Sequence, residues 1–158
     1  MTYKNSPKQF SVQWKAGQVV MRFRGKDGES LTNTLVSPPA NLVGPGGILA
    51  AIRKDWDALL AGETLAWKMI VPPKADAYSV RLVPIKRQKL NGRDALHVRL
   101  EADNWIVRLV APSTQFWVDL QLRSTLKYQG MGASDDEDGK PQDTVITFQP
   151  PMLPVVAP

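Results

Sequence analysis

Cysteine is absent from this sequence of 158 residues, and histidine occurs once, as His97. The absence of cysteine excludes disulfides, thiolate nucleophiles and cysteine-based zinc sites. One imidazole per chain cannot supply the two or three histidines of most catalytic zinc and copper sites. The sequence therefore predicts neither a metal site nor a cofactor, and metal catalysis is disfavoured.

Long hydrophobic runs are also missing. No stretch of about 18 apolar residues that could span a bilayer is present, and the N terminus lacks the apolar segment of a signal peptide. As written, the chain is therefore expected to be neither exported nor membrane-spanning. The formal net charge of +5 is a modest excess that would suit an anionic partner.

Alternation of apolar and polar residues predicts strands over most of the chain. The first strand has Phe10, Val12 and Trp14 on one face. Hairpin turns are predicted at Gly17, at Gly28 and, most clearly, at Asn91 and Gly92, because these residues adopt positive φ readily. After a turn at Asn104, a further strand is predicted over residues 105–111. About nine strands result.

One segment has a helical period instead. Its apolar residues fall on one face of a helix predicted over residues 46–61, with Gly62 as the stop. These residues are Ile48, Leu49, Ile52, Trp56, Leu59 and Leu60. We therefore predict a mainly β (α+β) fold, a curved antiparallel sheet or partly open barrel covered by one amphipathic helix. A closed barrel with the helix as a lid has the same periodicity. Residues 1–149 would form one domain, and residues 150–158 a proline-rich extended tail.

Three segments carry a resemblance to a known family: IRKDWDALLAGETL at residues 52–65, NWIVRLV at 104–110 and TLKYQG at 125–130. They resemble an uncharacterised family of β-rich bacterial proteins usually predicted to be secreted or periplasmic, over about residues 18–148. The resemblance implies a fold and a periplasmic or envelope location, and no catalytic motif. Members of the family carry a signal peptide and further N-terminal strands that this sequence lacks. The resemblance therefore leaves the cellular location of the protein open.

Three sets of charged or titratable residues are weaker candidates for a functional site. The acidic residues 134–139 resemble a calcium loop, but an alignment on Gly139 puts Val145 where a bidentate glutamate is needed, so we expect residues 130–143 to form a mobile, solvated hairpin loop. Four basic residues surround the turn at Asn91 and could bind an anion, although no aromatic residues for stacking on nucleic acid accompany them. They are Lys86, Arg87, Lys89 and Arg93. His97 is predicted on the surface, and Arg99 and Arg108 are expected to pair with Glu101 or Asp103.

Tryptophan is abundant, with five residues. An apolar pocket between helix and sheet is predicted to be lined by some of four of them, with packing in the core as the alternative: Trp56, Trp67, Trp105 and Trp117. The function expected first is that of a noncatalytic envelope protein that binds an apolar small molecule or lipid. The second is a structural or interaction module using a sheet edge, the basic hairpin or the tail. An enzyme ranks last, because no nucleophile, metal or phosphate motif can be assembled.

Overall fold

The computed structural model describes residues 8–135 and 141–149. The fold is mostly β, as predicted. The chain divides into two compact units, one made of Met1–Ala51 with Ala66–Val80 and the other of Ile52–Leu65 with Arg81–Pro158. The single domain expected over residues 1–149 stays a prediction, and the expected tail lies outside the described residues.

The first unit contains a three-stranded antiparallel sheet of β1 (Gln9–Lys15), β2 (Gln18–Arg24) and β3 (Ser30–Val36), in that order. Two turns connect the strands as predicted, with φ of +73° at Gly17 and +82° at Gly28. The register places Val12 opposite Met21, so one face of the sheet is apolar. That face packs in a core of Val19, Met21, Ile70 and Ala75, joined by Val12, Leu35, Leu42 and Ala77.

The remaining strands form a curved half-barrel of seven strands. They are β4 (Leu42–Val43), β5 (Leu65–Val71), β6 (Asp76–Leu90), β7 (Arg93–Ala102), β8 (Thr114–Asp119), β9 (Thr125–Asp135) and β10 (Pro141–Thr147). Their order is β10-β9-β8-β7-β6-β5-β4, and β4 pairs with β5 in parallel. The two-residue turn between β6 and β7 has positive φ at Asn91 and Gly92, which confirms the predicted hairpin.

The main helix lies where its period predicts. A 3-10 turn at Pro45–Gly47 leads into α1 (Ile48–Lys54), and α2 (Trp56–Leu60) follows after an interruption at Asp55. The helix ends at Gly62, which has φ of +87°. The Gly62 N–H donates to the Leu59 carbonyl and the Glu63 N–H to the Ala58 carbonyl, the two bonds of a Schellman motif. None of the described helices is long and apolar enough to cross a bilayer.

Two sequence-based expectations were wrong. Residues 105–108 form a one-turn helix, α3 (Trp105–Arg108), because the Asn104 side chain accepts from the N–H groups of Ile106 at 2.9 Å and Val107 at 3.4 Å. Residues 130–143 are mostly strand, since β9 continues to Asp135 and β10 begins at Pro141. Only the connection, residues 136–140, lies outside the described residues.

Candidate functional site

The four tryptophans selected from the sequence have different surroundings. Trp56, Trp67 and Trp117 are buried, whereas Trp105 is 64% exposed on α3. Trp67 belongs to the first unit and the other three to the second. Within the second unit, the Arg123 guanidinium lies 5.7 Å from the Trp56 ring centroid, while Trp117 stacks on His97. Burial of three indoles agrees with the core-packing alternative, and the pocket stays a prediction.

Three of the four basic residues around the turn at Asn91 contact other residues of the protein. Lys89 Nζ lies 3.0 Å from Asp94 Oδ1, Arg87 Nη2 donates to the Leu60 carbonyl at 3.2 Å, and Arg93 pairs with Asp119. Lys86 is exposed. Lys86 and Arg87 are consecutive in a strand, so their side chains leave opposite faces of the sheet. The four residues therefore do not form one continuous basic surface.

Asp119, which no sequence pattern indicated as a site residue, fixes the turn after β8. The residue is 1% exposed, and its carboxylate pairs with Arg93 and accepts from the N–H groups of Gln121 at 2.8 Å and Leu122 at 2.7 Å. Burial alone would raise the pKa of Asp119, but these donors together hold it below its usual value. The carboxylate is therefore ionised and fixes the turn, a structural role.

A row of side chains crosses the second unit's sheet on the face opposite Leu96 and Val98. His97 and Trp117 are cross-strand neighbours with ring centroids 4.4 Å apart and planes 5° apart, and Lys127 Nζ lies 4.6 Å from the Trp117 centroid. Because β7 and β9 flank β8, the indole has a ring on one side and an ammonium on the other. Both faces of the Trp117 indole are therefore covered by neighbouring side chains.

His97 is half-buried rather than a free surface residue. Its Nε2 lies 2.7 Å from Gln115 Oε1, and its Nδ1 is buried with no hydrogen-bond partner among the described residues. Burial lowers the pKa of His97, as do the nearby charges of Lys86, Arg99 and Lys127, against the opposing effect of Gln115. The imidazole is therefore neutral at neutral pH.

Three arginines converge on Glu101 beside this row. Arg81 Nη2 lies 2.5 Å and Arg108 Nη1 lies 3.3 Å from Glu101 Oε1, and Arg99 Nε lies 2.7 Å from Oε2. The pairing predicted for Arg99 and Arg108 is confirmed, and Arg81 was missed. Burial would raise the pKa of Glu101, but the three guanidiniums lower it overall. We name Arg81, Arg99, Arg108 and Glu101 the arginine cluster.

A groove of about 370 Å³ lies in the first unit, between β1 and the glycine-rich segment before α1. Its lining is Phe10, Ser11, Val12, Trp14, Gly44, Pro45, Gly46 and Gly47. Phe10 is 52% and Trp14 56% exposed, on the same face of β1. Successive side chains of a strand point to opposite faces, so a groove lined by residues 10, 11 and 12 is not confined to one face of β1. We name it the β1 groove.

Within the described residues, no group of three histidine, aspartate or glutamate side chains could hold a metal ion. Comparisons with protein-family models, with curated proteins and with solved structures found no match. The resemblance to a secreted or periplasmic family therefore stays a prediction.

Proposed function

We propose that this protein is a noncatalytic interaction module that binds an extended peptide along β1. The observation that carries the proposal is the β1 groove, which lies against a strand at one end of a three-stranded sheet and has two aromatic rings more than half exposed in its lining. The lining contains no titratable side chain, so it offers contact and hydrogen bonding rather than acid–base chemistry. The proposal takes up the interaction-module alternative from the sequence.

The position of β1 supports binding by strand addition. It stands at one end of the order β1-β2-β3, and no described strand pairs with its outer edge. An edge strand presents unpaired backbone N–H and C=O groups to an added strand, which supplies affinity without requiring a particular sequence. Seven residues, Gln9–Lys15, would give a ladder of roughly 23 Å at about 3.3 Å per residue.

The side chains around the edge indicate what the peptide should carry. Phe10 and Trp14 are four residues apart on one face, so apolar side chains at alternate peptide positions would meet them. The charged residues of β1 and β2 are all basic: Lys15, Arg22 and Arg24. Acidic residues between the apolar ones would complement them. The proposed occupant is an extended segment of another polypeptide with alternating apolar and acidic residues.

The test is fluorescence anisotropy with a labelled peptide of about seven residues that alternates valine and glutamate. We expect saturable binding that weakens roughly tenfold or more in Trp14→Ala, since exposed aromatic anchors dominate such interfaces. Gly46→Leu should also weaken binding. A Cβ at Gly46 would meet no atom within 4 Å, so the larger side chain narrows the groove without straining the fold.

The matched control is Trp105→Ala, which removes an indole of similar exposure from the second unit and should leave binding unchanged. A peptide with lysine in place of glutamate should bind more weakly at low salt. If the valine–glutamate peptide does not bind, or if Trp14→Ala and Trp105→Ala weaken it equally, the proposal is wrong.

A further inference from the structure

We infer that the arginine cluster is a binding site for a small phosphoryl anion, either free phosphate or a phosphomonoester. The site lies in the second unit and does not depend on the β1 groove. It rests on the convergence of Arg81, Arg99 and Arg108 at one carboxylate and on buried hydrogen-bond donors beside them.

The charges in the cluster do not balance. Three guanidiniums carry three positive charges, and Glu101 is the only carboxylate within ion-pair distance of them in the described part of the chain. Glu101 is 10% exposed, whereas the arginine side chains are 24–39% exposed. The carboxylate thus lies inward, and guanidinium N–H groups remain at the surface. The net charge of the cluster, +2, matches a phosphate dianion.

Two buried N–H groups on this face of the sheet make no hydrogen bond to any described residue. Arg99 Nε forms an ion pair with Glu101 Oε2 at 2.7 Å but makes no hydrogen bond. The Trp117 Nε1–H is also buried without a partner among the described residues. Arg99 and Trp117 occupy adjacent cross-strand rows, opposite Gln115 and His97. Buried donors without acceptors are costly, and an oxyanion would satisfy such groups.

The Trp117 ring beside the cluster does not provide a surface for stacking. The indole of Trp117 is covered by His97 on one side and by Lys127 on the other, so it offers no free face on which a nucleobase could stack. The ammonium of Lys127 adds positive charge to the same face. A phosphoryl group needs only donors and positive charge, and guanidinium forks bind its oxygens in pairs.

The test is isothermal titration calorimetry of the full chain in a low-salt buffer, with inorganic phosphate and with glycerol phosphate. We expect saturable binding of at least one, and whichever binds more tightly identifies the source of the phosphoryl group. Arg99→Gln should weaken binding roughly tenfold or more, because a charge-assisted hydrogen bond is lost. Lys54→Gln, which removes an exposed charge from α1, should leave the affinity within about twofold.

Glu101→Gln separates a binding site from a purely structural ion cluster. Removal of the carboxylate frees all three guanidiniums, so phosphate should bind more tightly, whereas a structural cluster would only lose stability. If Arg99→Gln does not fold, Arg81→Gln takes its place in the titration. Absence of saturable binding by either ligand, or equal losses in Arg99→Gln and Lys54→Gln, would overturn the assignment. So would Arg99-dependent binding of a single-stranded oligonucleotide more tightly than of either small ligand.

Discussion

The edge strand of the first unit and the buried carboxylates of the second unit differ in how far their side chains are exposed to solvent. In the first, Phe10 and Trp14 are more than half exposed on β1, a strand at one end of the three-stranded sheet. In the second, the carboxylates of Asp119 and Glu101 are drawn inward and surrounded by donors. Exposed rings contribute little to folding and are available for contact with a partner. Buried charges must be paired for the fold to persist.

The largest expected effect contrasts two tryptophans. Trp56→Ala should destabilise the protein by about 3–5 kcal/mol, because a 2% exposed indole leaves a cavity when it is truncated. Trp14→Ala should cost less than about 1 kcal/mol. Chemical denaturation followed by circular dichroism measures both free energies of unfolding. A loss below about 1 kcal/mol for Trp56→Ala would show that the helix is not anchored by this side chain.

The next contrast lies between two ion pairs of the second unit. Asp119→Ala should cost about 2–4 kcal/mol, since it leaves Arg93 uncompensated and the N–H groups of Gln121 and Leu122 without their acceptor. Asp94→Ala, at the exposed pair with Lys89, should change stability by no more than about 0.5 kcal/mol. The same denaturation experiment compares them, and similar losses would contradict a special role for Asp119.

A smaller difference is expected between two glycines. A Cβ at Gly130 would lie 2.9 Å from Thr114 Cγ2 and Oγ1, so Gly130→Ala should destabilise the protein by about 1–3 kcal/mol through overpacking. Gly46→Ala, in the lining of the β1 groove, meets no atom within 4 Å and should be close to neutral. Thermal unfolding of both variants provides the comparison. A neutral Gly130→Ala would mean that Thr114 rotates away without cost.

The smallest effect is a pH dependence. The pKa of His97 is lowered by burial and by nearby cations, so the folded state binds its proton less readily than the unfolded chain. The free energy of unfolding is therefore highest above the pKa of His97 in the unfolded chain, about 6.5. It decreases as the pH falls from that value through the pKa of His97 in the folded state. The imidazole resonance of the single histidine should titrate below 6.5 by NMR. His97→Gln should remove this part of the pH dependence, and a titration at or above 6.5 would contradict it.

Local rules predicted most of the fold. The turn at Asn91 and Gly92 follows from two residues that accept positive φ, and the helix follows from a period of 3.6 ending at Gly62. The failures came from a local cap and from a very short strand. Residues 105–111 have the apolar content of a strand, but the cap from Asn104 starts α3 instead. The two-residue strand β4 is too short to have a pattern of its own.

The candidate sites were harder to predict from the sequence than the fold, because most of their contacts join residues that are far apart along the chain. Proximity of Arg99 and Arg108 to Glu101 could be predicted because they are close along the chain, whereas Arg81 reaches Glu101 from a different strand, 20 residues away. Asp119 has a local signal in the spacing to Gln121 and Leu122, but its partner Arg93 is 26 residues away. The exposure of Phe10 and Trp14 depends on which strand ends the sheet order, and alternation alone does not specify that.

The contact between the helix and Arg123 has a consequence for synthesis on the ribosome. Arg53 Nε donates to the Arg123 carbonyl across 70 residues of sequence, and the Arg123 guanidinium covers Trp56. At about 5–20 residues per second, the helix emerges roughly 4–14 s before the residue that covers its indole. During that interval its apolar stripe lacks this cover, so the nascent chain presents a transient target for chaperones that recognise exposed hydrophobic segments.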